Sequence, residues 1–142
     1  MSRPHTGRCL CGAVRYEVRG PLRDILVCHC VECRRWAGHA WAATAASAED
    51  LRIEGEVTWR RGPESEWRAE RGNCDRCGSS LFWRAEDGPR MAIGAGTLDD
   101  SSSLQIAAHI WVEQGAQWEA PAAGLAAYPG GYPADAPELR WR

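Results

Sequence analysis

Lysine is absent from this sequence of 142 residues, in which all 17 basic residues are arginine. The formal net charge is −2 and the sequence pI is about 6.1, so no overall basic field is available to attract nucleic acid or an anionic membrane. Long apolar runs are also missing, because the uncharged stretch at residues 36–48 is too short to span a bilayer. These absences argue against nucleic-acid-binding and membrane-spanning proteins.

The N-terminal residues do not resemble a secretory signal. Residues 1–7 are polar and no apolar segment follows them, so we expect a cytoplasmic protein. In a reducing compartment, the seven cysteines of the chain favour metal ligation over disulfides. An odd number would also leave one cysteine unpaired in any arrangement made of disulfides alone.

Three cysteines occur within six residues in the pattern C-x-C-x-x-C, and we call Cys28, Cys30 and Cys33 the three-cysteine cluster. If residues 25–30 are extended, Cys28 and Cys30 share one face and His29 points to the other. A turn after Cys30 then brings Cys33 back toward the same point. Three thiolates suit zinc and leave a fourth coordination position for water or substrate, as in catalytic zinc sites.

The remaining cysteines form a second set, Cys9, Cys11, Cys74 and Cys77, which we call the four-cysteine cluster. Four thiolates are enough for a closed tetrahedral zinc site of the structural kind. Glycine follows the second cysteine of each pair and can take the positive φ that a tight turn around a metal requires. The spacing alone does not fix which pairs meet in space.

Other interpretations of the three-cysteine cluster stay open at this point. It is a second structural zinc site if a histidine supplies the fourth ligand, or a reduced thiol cluster without metal. The candidate histidines are His29, His39 and His109. At such a position His29 is expected in solvent or beside the ligands. His109 lies within an apolar predicted strand, so we expect it to be a core histidine with its hydrogen bonds satisfied.

Arg34, Arg35 and Trp36 follow the three-cysteine cluster directly and are our candidates for binding the substrate or cofactor. The two arginines would pair a carboxylate bidentately, or they are simply a solvated face. Trp36 and Trp41 would line a pocket near the metal, although tryptophans are more often packing residues.

Short strands separated by turn signals, with no long helical period, predict an all-β domain. Residues 40–46 are rich in alanine but lack caps, so a strand is favoured there. One helical turn is predicted at 31–36, a hairpin connection at 54–56 and a turn at 62–64. The predicted strands are 11–18, 25–27, 51–53, 57–59, 66–71, 80–83, 90–93 and 105–112.

The composition changes at residue 120, after which four of the eight prolines occur. We therefore divide the chain into a zinc-binding domain at residues 1–119 and a Pro/Gly-rich tail at residues 120–142, which either wraps the domain or is partly disordered.

Five segments occur in a fixed order: residues 7–16 (GRCLCGAVRY), 28–38 (CHCVECRRWAG), 74–83 (CDRCGSSLFW), 94–100 (GAGTLDD) and 109–111 (HIW). Together they resemble the glutathione-dependent formaldehyde-activating enzyme family, also called the GFA/CENP-V family. The resemblance covers about residues 7–119. It implies a zinc-stabilised, all-β, Mss4-like fold with short helical turns. It also implies two zinc ions per chain, a structural one on the four-cysteine cluster and a catalytic one on the three-cysteine cluster. Because three ligands from one short segment hold a metal less firmly, we expect the catalytic zinc to be the more labile of the two.

The resemblance implies a carbon–sulfur lyase that joins formaldehyde and glutathione to give S-hydroxymethylglutathione. Zinc chemistry agrees with this, because a metal-bound thiol is available as thiolate at neutral pH and a metal can polarise an aldehyde oxygen. The expected partners are a glutathione-like thiol and an aldehyde, not nucleic acid or membrane. The alternatives are a non-catalytic zinc-binding module that recognises a protein, and a thiol redox or metal-buffering protein.

Overall fold

The computed structural model describes residues 3–62 and 68–142, and two β-sheets supply most of the regular structure. This confirms the prediction of an all-β fold with short helical turns. The smaller sheet has the order β1-β2-β5 and is antiparallel. Its strands are β1 (His5–Arg8), β2 (Arg15–Val18) and β5 (Leu51–Glu54).

The larger sheet has seven strands in the order β10-β3-β4-β9-β8-β7-β6. Its pairings are antiparallel except for β10, which lies parallel to β3. Its strands are β3 (Ile25–Cys28), β4 (Trp41–Ser47), β6 (Val57–Arg61), β7 (Glu70–Cys74), β8 (Ser80–Arg84), β9 (Arg90–Gly94) and β10 (Ile106–Ile110). The strand predicted at residues 40–46 is therefore confirmed as β4.

The predicted helical turn is confirmed as α1 (Val31–Ala37), which begins directly after β3 and the second cysteine of its cluster. Short 3₁₀ turns supply the other helical residues of the described ranges, at Ala48–Asp50, Ala95–Thr97, Val112–Gln114 and Gln117–Glu119. Along the described part of the chain, no helix combines the length and the apolar character needed to cross a membrane.

The core between the sheets is built around the single phenylalanine. Phe82 is fully buried, and the ring of Tyr16 meets it edge-on at 5.4 Å while that of Trp59 stacks at 6.1 Å between centroids. Val14, Tyr16 and Val18 are all buried, as the alternation of polar and apolar residues predicts for β2. The smaller sheet is thus packed onto the larger one by this apolar face.

The hairpin predicted across residues 54–56 is wrong. β5 pairs with β2 in the smaller sheet, whereas β6 pairs with β7 in the larger one. The connection passes between sheets at Gly55, where φ is +100° and an added Cβ would lie 2.1 Å from the Ala13 carbonyl oxygen. Glycine is needed here because the chain crosses close to another backbone.

Two other predictions lie at the gap in the described residues. The turn at 62–64 and the first part of the strand at 66–71 fall on residues 63–67, outside the described ranges. The following strand, β7, begins at Glu70 and runs into Cys74.

Residues 120–142 form no strand or helix, yet backbone hydrogen bonds hold them to the larger sheet. Leu22 and Arg142 exchange two such bonds, with N···O distances of 2.9 and 2.7 Å. His109 donates to the Ala126 carbonyl at 2.8 Å and accepts from the Tyr128 N–H at 2.9 Å. The segment therefore packs along β10 and the start of β3. The division of the chain at residue 119 stays a prediction.

Candidate metal centres and active site

The four-cysteine cluster joins two distant turns, one between β1 and β2 and the other between β7 and β8. The four Sγ atoms lie within 4.8 Å of one another, with 3.6 Å between Cys9 and Cys11 and 3.9 Å between Cys11 and Cys74. The backbone N–H of Val14 donates to Cys9 Sγ at 3.3 Å, and that of Cys77 donates to Cys74 Sγ at 3.4 Å. Such donors favour the thiolate form that a metal binds.

Both glycines of the four-cysteine cluster adopt the predicted left-handed conformation, with φ of 81° at Gly12 and 79° at Gly78. Beside them, the hydrogen bond with the Ser79 hydroxyl lowers the pKa of Cys77 to about 5. Four sulfur donors on two tight turns form a site that is closed by the protein itself, as structural zinc sites are.

The three-cysteine cluster lies where β3 ends and α1 begins. The three Sγ atoms are again within 4.8 Å of one another. Cys30 is the N-cap of α1, in the extended conformation, and its Sγ accepts the backbone N–H of Cys33 at 3.3 Å. The first turn of the helix therefore carries Cys33 back to Cys28 at the end of β3 and to Cys30 at the N-cap, as the spacing predicts.

The electrostatics of the three-cysteine cluster favour a cation. Hydrogen bonding with Cys28 and Cys33 lowers the pKa of Cys30 to about 2, and the positive charge of Arg71 acts in the same direction. The same hydrogen bond with Cys30 raises the pKa of Cys28 far above that of a free thiol. One thiol ionises at the expense of its neighbour because like charges repel at this distance. A divalent cation would allow all three to be thiolates together.

A cavity of about 480 Å³ opens over the three-cysteine cluster. All three cysteines belong to its wall, so the sulfur atoms face a space large enough for a small molecule. Three tryptophans and several aliphatic residues make up most of the rest. The described lining residues outside the cluster are Arg23, Leu26, Val31, Glu32, Trp41, Ala43, Ala69, Arg71, Trp83, Ala92, Ile110, Trp111, Gln114 and Gly131.

The histidines do not join the three thiols in the described part of the structure. His29 is 1% exposed and its Nε2 lies 2.8 Å from Nδ1 of His109 on β10, on the other side of the strand from the cysteines. Burial lowers the pKa of both rings, so they pair as neutral imidazoles. His39 is exposed and its Nδ1 contacts the Ala40 carbonyl. The expectation of a solvent-facing His29 is therefore wrong, because its side chain is directed away from the cysteines and is buried against His109.

The family model described as "Glutathione-dependent formaldehyde-activating enzyme" matches residues 4–114. The chain belongs to this family. A crystal structure of a Rhodobacter sphaeroides protein has the same fold, with a TM-score of 0.55, 22% sequence identity, and coverage of 87% of this chain and 98% of that one. No curated protein sequence matches the chain.

Within this member of the formaldehyde-activating family, the three predicted binding residues lie off the cavity wall. Arg35 is exposed, and Arg34 lies in the last turn of α1, where a cation complements the helix dipole. Trp36 packs edge-on against Trp41 at 4.8 Å and donates its indole N–H to Asn73 Oδ1 at 2.9 Å. A role for these side chains in direct substrate contact therefore finds no support from the described lining residues, although Trp36 does support Trp41.

Sequence reasoning missed the cavity residues that come from other strands, above all Arg71, Trp83 and Trp111. Arg71 on β7 and Trp83 on β8 are cross-strand partners, so one face of the larger sheet presents both to the cavity. No local pattern in the sequence pointed to Arg71. The folded chain places Arg71 beside α1, with its Cζ 5.7 Å from the ring centroid of Trp36, but the pairing of β7 with β8 shifts register between Gly72 and Asn73, so alternation along the strand does not predict this position.

Proposed function

We propose that this chain is a zinc-dependent carbon–sulfur lyase that adds a glutathione-like thiol to an aldehyde such as formaldehyde, giving an S-hydroxymethyl product. One observation carries the proposal: the three thiols of Cys28, Cys30 and Cys33 converge on one point and face a cavity of about 480 Å³. Membership of the formaldehyde-activating family supports the reaction class. The four-cysteine cluster is assigned to a structural zinc ion.

The donor sets of the two clusters fit different uses of the metal. Cys9, Cys11, Cys74 and Cys77 supply four sulfurs, which complete a tetrahedron, whereas the three-cysteine cluster supplies three. Zinc bound by those three would hold a substrate sulfur as thiolate at neutral pH and so supply the nucleophile. In the described residues no protein side chain completes this set, and the side that faces the cavity is available to substrate.

The protein's own part in the reaction is to bind and orient the two reactants. The substrate sulfur forms a bond to the carbonyl carbon while the C=O π electron pair moves to oxygen, which then takes a proton. Overall, S–H adds across C=O, and no oxidant or reductant is consumed. The indoles of Trp41 and Trp83 exclude water from the reacting atoms, and the positive charge of Arg71 lies close enough to stabilise negative charge on sulfur.

The exchange rate between ¹³C-formaldehyde and its thiol adduct tests the proposal. The uncatalysed reaction is reversible, so two-dimensional exchange NMR on an equilibrium mixture of formaldehyde and thiol measures the rate directly. We expect exchange to accelerate in proportion to protein concentration, and Cys33→Ser to abolish the acceleration because two thiolates no longer hold the metal.

Arg35→Gln is the matched control, since Arg35 lies in the same helix and is exposed. It should accelerate exchange as wild type does. Equal exchange rates for wild type, Cys33→Ser and a sample without protein would contradict a lyase activity. A rate unaffected by Cys33→Ser but above background would place the activity elsewhere in the molecule.

A further inference from the structure

We propose that the thiol substrate is a mainly apolar monocarboxylic acid, and that Arg71 binds its carboxylate inside the cavity. The inference rests on the proposed function, because it concerns the compound whose sulfur meets the three-cysteine cluster. It goes further by replacing the glutathione-like thiol of that proposal with an apolar monocarboxylic thiol, while keeping the addition to an aldehyde, and by naming the residue that selects this thiol.

Arg71 is a buried cation with unused hydrogen-bonding capacity. The residue is 8% exposed and lines the cavity. Its Nε is buried and has no hydrogen-bond partner among the described residues. Its Nη1 forms an ion pair with Glu32 Oε1 at 3.6 Å, which is longer than a hydrogen bond, and the Glu32 carboxylate is 43% exposed and also lines the cavity. The long ion pair with a half-exposed carboxylate leaves the hydrogen-bond donors of this buried guanidinium group unsatisfied, so they are available to a further anionic group.

The indole of Trp36 holds the guanidinium group of Arg71 in place. The Arg71 Cζ lies 5.7 Å from the ring centroid of Trp36, in the range of a cation–π contact. Trp36 is itself fixed by its hydrogen bond to Asn73 Oδ1 and by its contact with Trp41. Arg71 therefore presents a planar donor fork in a defined orientation, which suits a carboxylate.

Of the other polar residues on the described wall, Glu32 is itself an anion, and Arg23 and Gln114 already make hydrogen bonds within the protein. Arg23 donates from Nε to the Asp24 carbonyl at 3.2 Å and from Nη2 to the Ala43 carbonyl at 3.3 Å. The Gln114 side-chain oxygen accepts the backbone N–H of Val31 at 3.0 Å. Arg71 is thus the principal described group on the wall that can receive an anion.

Apart from Arg23, Glu32, Arg71 and Gln114, the described wall outside the cysteines is apolar and offers few partners to further polar groups. It contains Trp41, Trp83 and Trp111 with Leu26 and Ile110. Glutathione carries two carboxylates, one ammonium group and two peptide bonds, and most of these would lose hydrogen bonds to water without replacement. A flat, apolar body with one carboxylate loses little water and gains contact with the indoles.

The test uses protein loaded with cobalt(II), in which a bound thiolate gives a charge-transfer absorption band. Three thiols are titrated: para-(mercaptomethyl)benzoic acid, the corresponding primary amide, and glutathione. For wild type we expect the acid to bind about tenfold or more tightly than the amide, as one charge-assisted hydrogen-bonded pair allows, and more tightly than glutathione. In Arg71→Gln the acid should bind no more tightly than the amide, and Arg71→Lys should recover part of the preference.

Arg60→Gln is the matched control, because Arg60 is the exposed cross-strand partner of Arg71 on β6 and lies outside the cavity. It should keep the wild-type preference. Equal affinities for acid and amide in wild type, a preference that survives Arg71→Gln, or tighter binding of glutathione would each overturn the inference while leaving the proposed function intact. If no thiol changes the cobalt spectrum of wild type, the open metal position is wrong and both proposals fail. The comparison of thiols on wild type decides the matter even if Arg71→Gln does not fold.

Discussion

Replacing Arg142 by methionine should destabilise the protein, because it leaves the buried carboxylate of Asp24 without its cation. Asp24 is 4% exposed, and its carboxylate accepts Arg142 Nε at 2.9 Å, Arg142 Nη2 at 3.3 Å and the Gln105 backbone N–H at 3.1 Å. Burial by itself raises the pKa of Asp24, but these hydrogen bonds outweigh it and the pKa lies below its ordinary value. Removing one partner of such a buried pair costs about 3–5 kcal/mol.

The sign of the pH dependence follows from the lowered pKa. In wild type, the pair contributes its full stabilisation above the unfolded-state pKa of about 3.9 and loses it as the pH falls through the folded-state value. In Arg142→Met the carboxyl is buried without a cation, so it takes up a proton in mild acid and the penalty shrinks. The difference in unfolding free energy between wild type and variant should therefore be large at pH 7 and small near pH 4.

Urea unfolding followed by tryptophan fluorescence measures this difference at the two pH values. Arg140→Met is the control, since it removes the same charge from an exposed residue of the same segment and should change the unfolding free energy by less than about 1 kcal/mol. Adding Asp24→Asn to Arg142→Met should restore part of the loss at pH 7. A loss below about 1 kcal/mol for Arg142→Met, or one that is equal at both pH values, would refute the reasoning.

Two further predictions concern the cysteine clusters. Cys77→Ser should abolish the cooperative thermal melt. The four-cysteine cluster joins the β1–β2 turn to the β7–β8 turn, and a metal bound there would contribute on the order of several kcal/mol to folding. A melt like that of wild type would show that side-chain packing alone holds the two turns together. Cys33→Ser should keep the cooperative melt but bind one zinc fewer per chain by elemental analysis. In wild type the zinc of the three-cysteine cluster should leave first when a chelator is added, because its three ligands come from one short segment. Equal zinc content in wild type and Cys33→Ser would show that the three thiols hold no zinc.

Local signals predicted the clusters and most strands, while long-range pairing lay beyond them. The spacing of Cys28, Cys30 and Cys33 sets their convergence through a strand end and one helical turn, both of which are local. The pairing of β5 and β6 depends on strands far away in the sequence, since β5 pairs with β2 and β6 with β7. Residues 51–59 by themselves fit a hairpin, and the change of sheet at Gly55, which packs against Ala13, becomes visible in the folded structure.

The cavity was the least predictable part of the site, for the same reason. Its wall draws on β3, β4, β7, β8, β9 and the turn after β10, so no window of sequence contains it. Arg34 and Arg35 are adjacent to Cys33 in the sequence, but the helix carries them away from the cavity, whereas Arg71 reaches it from a different strand. Proximity along the chain was thus a poor guide to proximity in space.

The parallel pairing of β10 with β3 has a consequence for the order in which the molecule forms. β3 carries Cys28, yet β10, its neighbour on one side, pairs Ile106 with Ile25 and is therefore synthesised much later than the three cysteines. The three-cysteine cluster spans six residues and can close within the time of a short loop, about 10–100 ns, whereas the four-cysteine cluster has to wait for Cys77. A nascent chain can therefore bring the three thiols together long before the sheet around them is complete.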